Sequence, residues 1–281
     1  MTLLLPIALG VIMFGLGLSL QAADLTRVLR FPKAVVVGLA VQMLLLPPLC
    51  LLIARAFGLE PAFAVGLMLL AASPGGAVAN LYSHLARGDV ALNITLTAVN
   101  SVLAIITLPM IVNLSILHFM GREQALPLQF GKAVQVSAIV VGPVLLGMLI
   151  NARLPRLANR LRRPLKWLSL TFLIVAVGLT ALQNRHDLSD HLRSVGAACL
   201  AFNLVSLVVG YGLPRLLMLE RRQAIAIGME VGIHNAALAM TLALSPLMLN
   251  DPRMAVPAAV YGVIMFVTAA GFGWLVGLAR R

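Results

Sequence analysis

Stretches of about twenty consecutive apolar residues recur from one end of this chain to the other, and few folds tolerate that pattern. A helix of that length crosses the hydrocarbon of a bilayer. Inside lipid every backbone N–H and C=O needs an internal partner, which leaves helices or closed barrels. The short alternating segments of a barrel are absent. The expected fold class is therefore an all-α polytopic membrane protein. Composition agrees: 61% of the 281 residues are hydrophobic and 11% charged, more apolar surface than a soluble domain of this size needs.

Nine spans are expected, near 3–20, 34–57, 61–84, 90–117, 130–151, 165–183, 194–217, 222–249 and 254–278. The first has no basic residue before Arg27 and only a poor cleavage site at Gln21-Ala-Ala23, so it reads as a retained helix rather than a signal peptide. A net charge of +12 would point a soluble chain toward nucleic acid. Here the basic residues separate spans, and nucleic acid is excluded as a partner. Arg55, Arg122, Lys132, Arg185, Arg193 and Arg253 fall on one set of alternate loops, leaving fifteen of the 21 basic residues on the other. That asymmetry puts the N-terminus outside and the C-terminus in the cytoplasm of a multi-pass chain, with an odd number of spans. The expected setting is the inner (plasma) membrane of a bacterium.

Acidic residues narrow the search further. Of the nine, eight lie in the polar intervals between runs, and only Glu230 lies inside one. An ionisable group within a span is a candidate functional site. Two spans also carry helix breakers: Ser73-Pro-Gly-Gly76 in the third and Glu230-Val-Gly232 in the eighth. Asn80 follows the first break, and His234 and Asn235 follow the second. Interrupted helices in corresponding positions of two halves point to a binding site at a repeat interface. The competing reading is that each break is only a kink.

Other polar residues are less telling. His84, Arg87 and Asp89 are expected at a solvated turn, and His118, His186 and His191 in loops without ligand-like spacing. Cys50 and Cys199 sit in apolar runs and indicate neither a disulfide framework nor a metal site. The basic run Arg153 to Lys166 is read as a loop lying on anionic headgroups. Trp167 and Trp274, near span ends, suit the aromatic belt.

Taken together, these motifs resemble the bile acid:sodium symporter family. The resemblance runs through Phe14-Gly-Leu-Gly-Leu-Ser-Leu20, Phe31-Pro-Lys-Ala-Val35, Ser73-Pro-Gly-Gly-Ala-Val-Ala-Asn80, Leu85-Ala-Arg-Gly-Asp-Val-Ala-Leu92 and Glu230-Val-Gly-Ile-His-Asn-Ala237. It covers nearly the whole chain in order. It implies a single transporter unit (1–281) of inverted repeats, with two crossing discontinuous helices. The implied core comprises about 34–117 and 194–278, and the implied panel about 1–33 and 130–183. By the same resemblance, the first helix of a ten-helix form is absent.

The resemblance also implies one or two sodium ions. Asn80, Thr97 and Glu230 match ligands of a first site, with Asn93 where a serine is common and Ala79 in place of a serine ligand. Gln42 and Glu230 match a second, with backbone carbonyls near Val231 and Ile233 and with His234 where the family has glutamine. Sodium prefers oxygen, whereas imidazole suits transition metals. Three readings of His234 stand: a weakened second site, a proton-responsive pair with Glu230, or a residue that only shapes the site. Asn235 matches a residue facing the substrate, and Ala77 and Phe266 mark a less polar cavity wall.

The expected function is sodium-coupled symport of a small organic anion, bile-acid-like or another amphipathic carboxylate, by alternating access. The alternatives are proton-coupled or sodium-independent transport using Glu230 and His234, a channel, and, remotely, an intramembrane metalloenzyme. The last lacks an HExxH motif and an obvious third ligand. An enzyme is not expected.

Overall fold

The computed structural model describes residues 4–19, 27–121, 130–183, 188–245 and 248–278, and it is built of helices. Helix α1 is Leu4–Ser19, α2 Pro32–Ala56, α3 Pro61–Ala72, α4 Ala77–Leu85, α5 Val90–Phe119 and α6 Phe130–Arg153. Then follow α7 Pro155–Gln183, α8 Leu188–Leu216, α9 Arg221–Gly232, α10 Ala236–Leu244 and α11 Pro252–Leu278. Counting α3 with α4 and α9 with α10 as interrupted spans, these elements follow the nine expected runs. Among the described residues, Pro32–Ala56, Val90–Phe119, Val195–Leu216 and Pro252–Val276 are each long and apolar enough to cross a membrane. Val36, Leu52, Ile106, Val208, Val263 and Val267 are exposed on these helices, an apolar surface suited to contact with lipid.

Prolines set several starts. Pro32, Pro61, Pro155 and Pro252 each open a helix, where the missing N–H would have had no partner anyway. Within α2, Pro47 and Pro48 remove two donors that would bond Met43 and Leu44. The helix widens there into a π turn over Val41–Leu45, and the Leu46 N–H reaches back to Val41 O. Gln42 sits on that widened turn and is buried.

The two interrupted spans are built alike. Gly58 and Met218 both have positive φ, +59° and +61°, and each turns the chain into an N-cap glutamate, Glu60 or Glu220. Each first half has 12 residues and each second half has 9. The nine expected runs place five spans between the two starts, an arrangement that would bring the chain into the two motifs from opposite sides.

Helix α1 packs chiefly on α6 and α7, whereas α3, α5, α8, α9 and α11 pack on one another. The α1–α6 contact is a backbone contact. A Cβ on Gly147 would lie 2.5 Å from Phe14 O, and the carbonyl of Val144 fills the corresponding space at Gly17. Gly147→Ala should therefore destabilise the protein by about 1–3 kcal/mol, the usual penalty of overpacking. Gly142→Ala meets nothing within 4 Å and should be neutral. Equal melting temperatures for the two variants in detergent would refute this packing.

The structure moves three expectations. Arg153 to Lys166 is not a loop: α6 runs through Arg153 and α7 begins at Pro155. His118 lies in the last turn of α5, exposed, rather than in a loop. In the eighth span the helix continues through Gly232 and breaks only at Ile233 to Asn235, so Glu230 sits in the last turn of α9. The turn after α4 is as expected: His84 and Arg87 are exposed, while Asp89 caps α5 through Leu92 N at 3.1 Å. His186 lies outside the described residues, as does the side chain of His191.

Candidate functional site

The two breaks cross and are stitched together. Gly75 and His234 form an antiparallel bridge, and the Asn235 N–H donates to Pro74 O at 3.0 Å. In a continuous helix that N–H would bond Val231 O, so the Val231 carbonyl is released from the ladder. Ile233 is extended, with φ −118° and ψ 96°. His234 adds a second stitch: its Nδ1 lies 3.0 Å from Ser73 O. A carbonyl can only accept, so Nδ1 carries the proton and Nε2 in the neutral ring is an acceptor. That Nε2 is buried without a partner among the described residues. The ring stacks on Phe202, with centroids 5.6 Å apart, and tilts against Tyr261 at 5.5 Å.

Glu230 faces this crossing and is 2% exposed. Its Oε2 accepts from Thr97 Oγ1 at 2.6 Å, and the Gly75 backbone and the Asn100 amide stand beside it. Its Oε1 has no partner among the described residues. Gly75 is required by proximity: a Cβ there would lie 2.5 Å from the carboxyl carbon and from both oxygens. Glu230 and His234 share no hydrogen bond: Thr97 and Ser73 engage one atom of each, and the atoms left over, Oε1 and Nε2 of the neutral ring, are both acceptors.

Two buried amides near the breaks, Asn93 and Gln42, are oriented alike, whereas at Asn100 it is Nδ2 that is buried without a hydrogen bond of good geometry. Asn93 Nδ2 donates to Ala226 O at 2.7 Å, and Gln42 Nε2 to Ala71 O at 3.1 Å and Ser73 O at 3.4 Å. Each nitrogen is thus tied to a backbone carbonyl, and each oxygen is left over. Gln42 Oε1, Asn93 Oδ1, Asn80 Oδ1 and Glu230 Oε1 are all buried acceptors lacking a partner among the described residues. Buried polar atoms are rarely left unpaired. A set of surplus oxygens that includes one carboxylate suits a hard cation, which takes oxygen ligands and balances the charge.

At the second break, Asn235 is half-buried, and its Oδ1 is committed to capping α10 through Leu238 N at 3.0 Å. Its Nδ2 donor stays free of hydrogen bonds among the described residues. Phe266 lies beside Tyr82, with centroids 6.4 Å apart, and its carbonyl accepts from the Tyr82 hydroxyl at 3.0 Å. Ala77 opens α4, but its side chain lies outside the described residues.

Several contributors escaped the sequence reading. Asn100 shares a face with Asn93 and Thr97, at i+7 and i+3, and that spacing was available. Asn203 Nδ2 at 2.8 Å and the Tyr261 hydroxyl at 2.9 Å both donate to Gly232 O, the last helical carbonyl before the break. Asn203 mirrors Gln42: each is a buried amide that donates into the frayed end of the half-helix following its own span. Only an alignment of the two halves would have exposed that signal.

Comparison with known proteins agrees with this architecture. The chain is 27% identical over 260 residues to the sodium-dependent transporter YocS of Bacillus subtilis, covering 92% of this chain and 78% of YocS. It is 26% identical over 275 residues to the probable sodium/metabolite cotransporter BASS1 of Arabidopsis thaliana, covering 98% of this chain and 66% of that one. To the rice BASS1 it is 30% identical over 252 residues, 89% of this chain and 60% of the relative. The chain thus spans less than two thirds of these two plant proteins. Residues 6–191 match the model of the sodium bile acid symporter family. With its helical bundle, its two interrupted spans and this match over most of its length, the chain belongs to the sodium bile acid symporter family, a family of transporters rather than enzymes.

Proposed function

We propose that the protein carries a small organic anion across the membrane together with sodium. One observation supports the reading: four buried oxygens without a partner among the described residues belong to Gln42, Asn80, Asn93 and Glu230, each on one of the interrupted spans or bonded to one through its amide nitrogen. Glu230 would supply the charge that holds the cation, and Thr97, Asn80, Asn93 and Gln42 the neutral oxygens. The released Val231 carbonyl, and that of Ile233, would complete the coordination. His234 uses Nδ1–H to tie the two breaks together, so in this reading it shapes the crossing and leaves the oxygen ligands to others. The Asn235 Nδ2 donor, aimed from the start of α10, suits an anionic group. Phe266 would line the apolar part of the cavity.

In the same reading α2 to α5 and α8 to α11 form a core that moves against a panel of α1, α6 and α7. Cation and anion favour one shared state, so each tightens the other by an equal factor. The similarity to YocS and to BASS1, both named as sodium transporters, supports sodium as the coupling ion. One or two ions fit the donor set.

The experiment is a thermal melt of the detergent-purified protein in sodium against matched choline, with and without a conjugated bile acid as probe anion. Sodium at 100 times its Kd should add about 2.7 kcal/mol of stability. The bile acid should lower the sodium concentration needed. A melt indifferent to sodium but dependent on pH, and altered by replacing either Glu230 or His234, would give the site to protons instead.

A further inference from the structure

The first turns of α7 carry a feature that transport does not use. Arg156, Arg160, Arg163 and Trp167 stand at i, i+4, i+7 and i+11, so they form one stripe along the helix. All four are exposed, Trp167 at 59%. Ala158 on the opposite face is fully buried. Arg162 is turned inward and fixes the helix: its Nε donates to Leu18 O at 2.9 Å, Nη1 to Asn159 Oδ1 at 2.9 Å and Nη2 to Asn151 Oδ1 at 2.9 Å. The stripe is therefore held rigidly against the ends of α1 and α6.

Among the described residues nothing neutralises it. The sequence has no acidic residue between Glu123 and Asp187, and among the described residues none of the three arginines has a carboxylate partner. Beside the stripe, Leu154, Leu157 and Leu168 are exposed at 54%, 42% and 53%. Beyond Trp167 the helix becomes a continuous apolar run into the bilayer. A water-soluble anion would satisfy the guanidinium groups and leave these leucines and the indole uncovered. An anionic lipid covers both, with its phosphate on the arginines and its chains along the leucines.

We propose that Arg156, Arg160 and Arg163, with Trp167, form a binding site on α7 for the phosphate headgroup of an anionic phospholipid. The site is independent of which solute or ion is transported. The test is native mass spectrometry of the purified protein with phosphatidylglycerol or phosphatidylcholine added. Wild type should retain phosphatidylglycerol and not phosphatidylcholine. A basic side chain near an anionic surface contributes roughly fivefold in affinity. The triple variant Arg156→Gln, Arg160→Gln, Arg163→Gln should accordingly bind phosphatidylglycerol about 100-fold more weakly.

A control removes the same charge from exposed arginines elsewhere on that side: Arg30→Gln, Arg87→Gln, Arg222→Gln. It should bind lipid as wild type does. Equal losses in the two triple variants would reduce the effect to net charge and overturn the site, as would undiminished binding by the α7 variant. Displacement of the lipid by millimolar inorganic phosphate or glycerophosphate would assign the stripe to a soluble anion and overturn the lipid. Should the α7 triple variant not fold, the single changes Arg160→Gln and Arg163→Gln, each expected to weaken binding about fivefold, carry the same comparison.

Discussion

Glu230→Gln is expected to reverse the order of stability between wild type and variant when sodium replaces choline. The carboxylate is buried, and one oxygen has no partner. Without a cation that arrangement is unfavourable, and an isosteric amide relieves it, because Gln can still accept from Thr97. In choline the variant should therefore melt at or above wild type. In sodium the wild type gains the cation and the variant does not. A unit charge about 4 Å from sodium is worth about 4 kcal/mol at an effective dielectric near 20, so sodium affinity should fall by about three orders of magnitude. Sodium-driven uptake of a probe anion into proteoliposomes should fall with it. A variant less stable than wild type by the same amount in both salts would mean that Glu230 is structural, and the ion site as described would be wrong.

Gly75 and Gly76 offer the second large effect, because neighbouring glycines should respond in opposite ways. A methyl group on Gly75 meets the Glu230 carboxyl at 2.5 Å, closer than real Cβ contacts come, whereas one on Gly76 meets nothing within 4 Å. Gly76 also has ordinary extended backbone, φ −137° and ψ 180°, which alanine adopts freely. Gly75→Ala must displace the carboxylate from Thr97 or open the bridge to His234. In the proposed ion site Glu230 supplies the charge, so displacing it should weaken sodium binding at least tenfold, while overpacking adds a penalty of about 1–3 kcal/mol. Gly76→Ala should bind sodium and transport like wild type. Sodium titrations of the melting temperature for both variants decide the matter. Indistinguishable curves would sink the claim that Gly75 is small because Glu230 needs the space.

Much of this was legible from the order of residues. Apolar runs of bilayer length give the spans, Pro and Gly mark the interruptions, and a carboxylate inside a run is conspicuous because lipid makes charge expensive. Those are local signals. What stayed hidden depends on distant partners. Nothing near Arg162 shows that it turns inward to Leu18 while its neighbours turn outward, and a run so basic reads as a loop until α7 is seen to begin at Pro155. Tyr261 and Asn203 meet at Gly232 only because α8, α9 and α11 pack together. The end of α9 shifted by a few residues for a similar reason: Gly232 tolerates helix, and the chain leaves it where Asn235 finds Pro74 O across the crossing.

The matching halves carry a consequence for how the protein could have arisen. Pro61 and Ala72 lie 160 residues before Arg221 and Gly232, the bounds of the equivalent half-helix. Counting back the same distance from Glu230 arrives at Leu70, which is fully buried. A duplicated ancestor would have been free to keep its acid in both copies or in neither. In the proposed ion site, two carboxylates at one crossing would repel each other whenever it emptied, and none would leave no charge to hold a cation. Confining the charge to a single copy lets the second serve as a neutral counterpart of the same shape, and a descendant of two equal parts becomes a machine with an unequal division of labour.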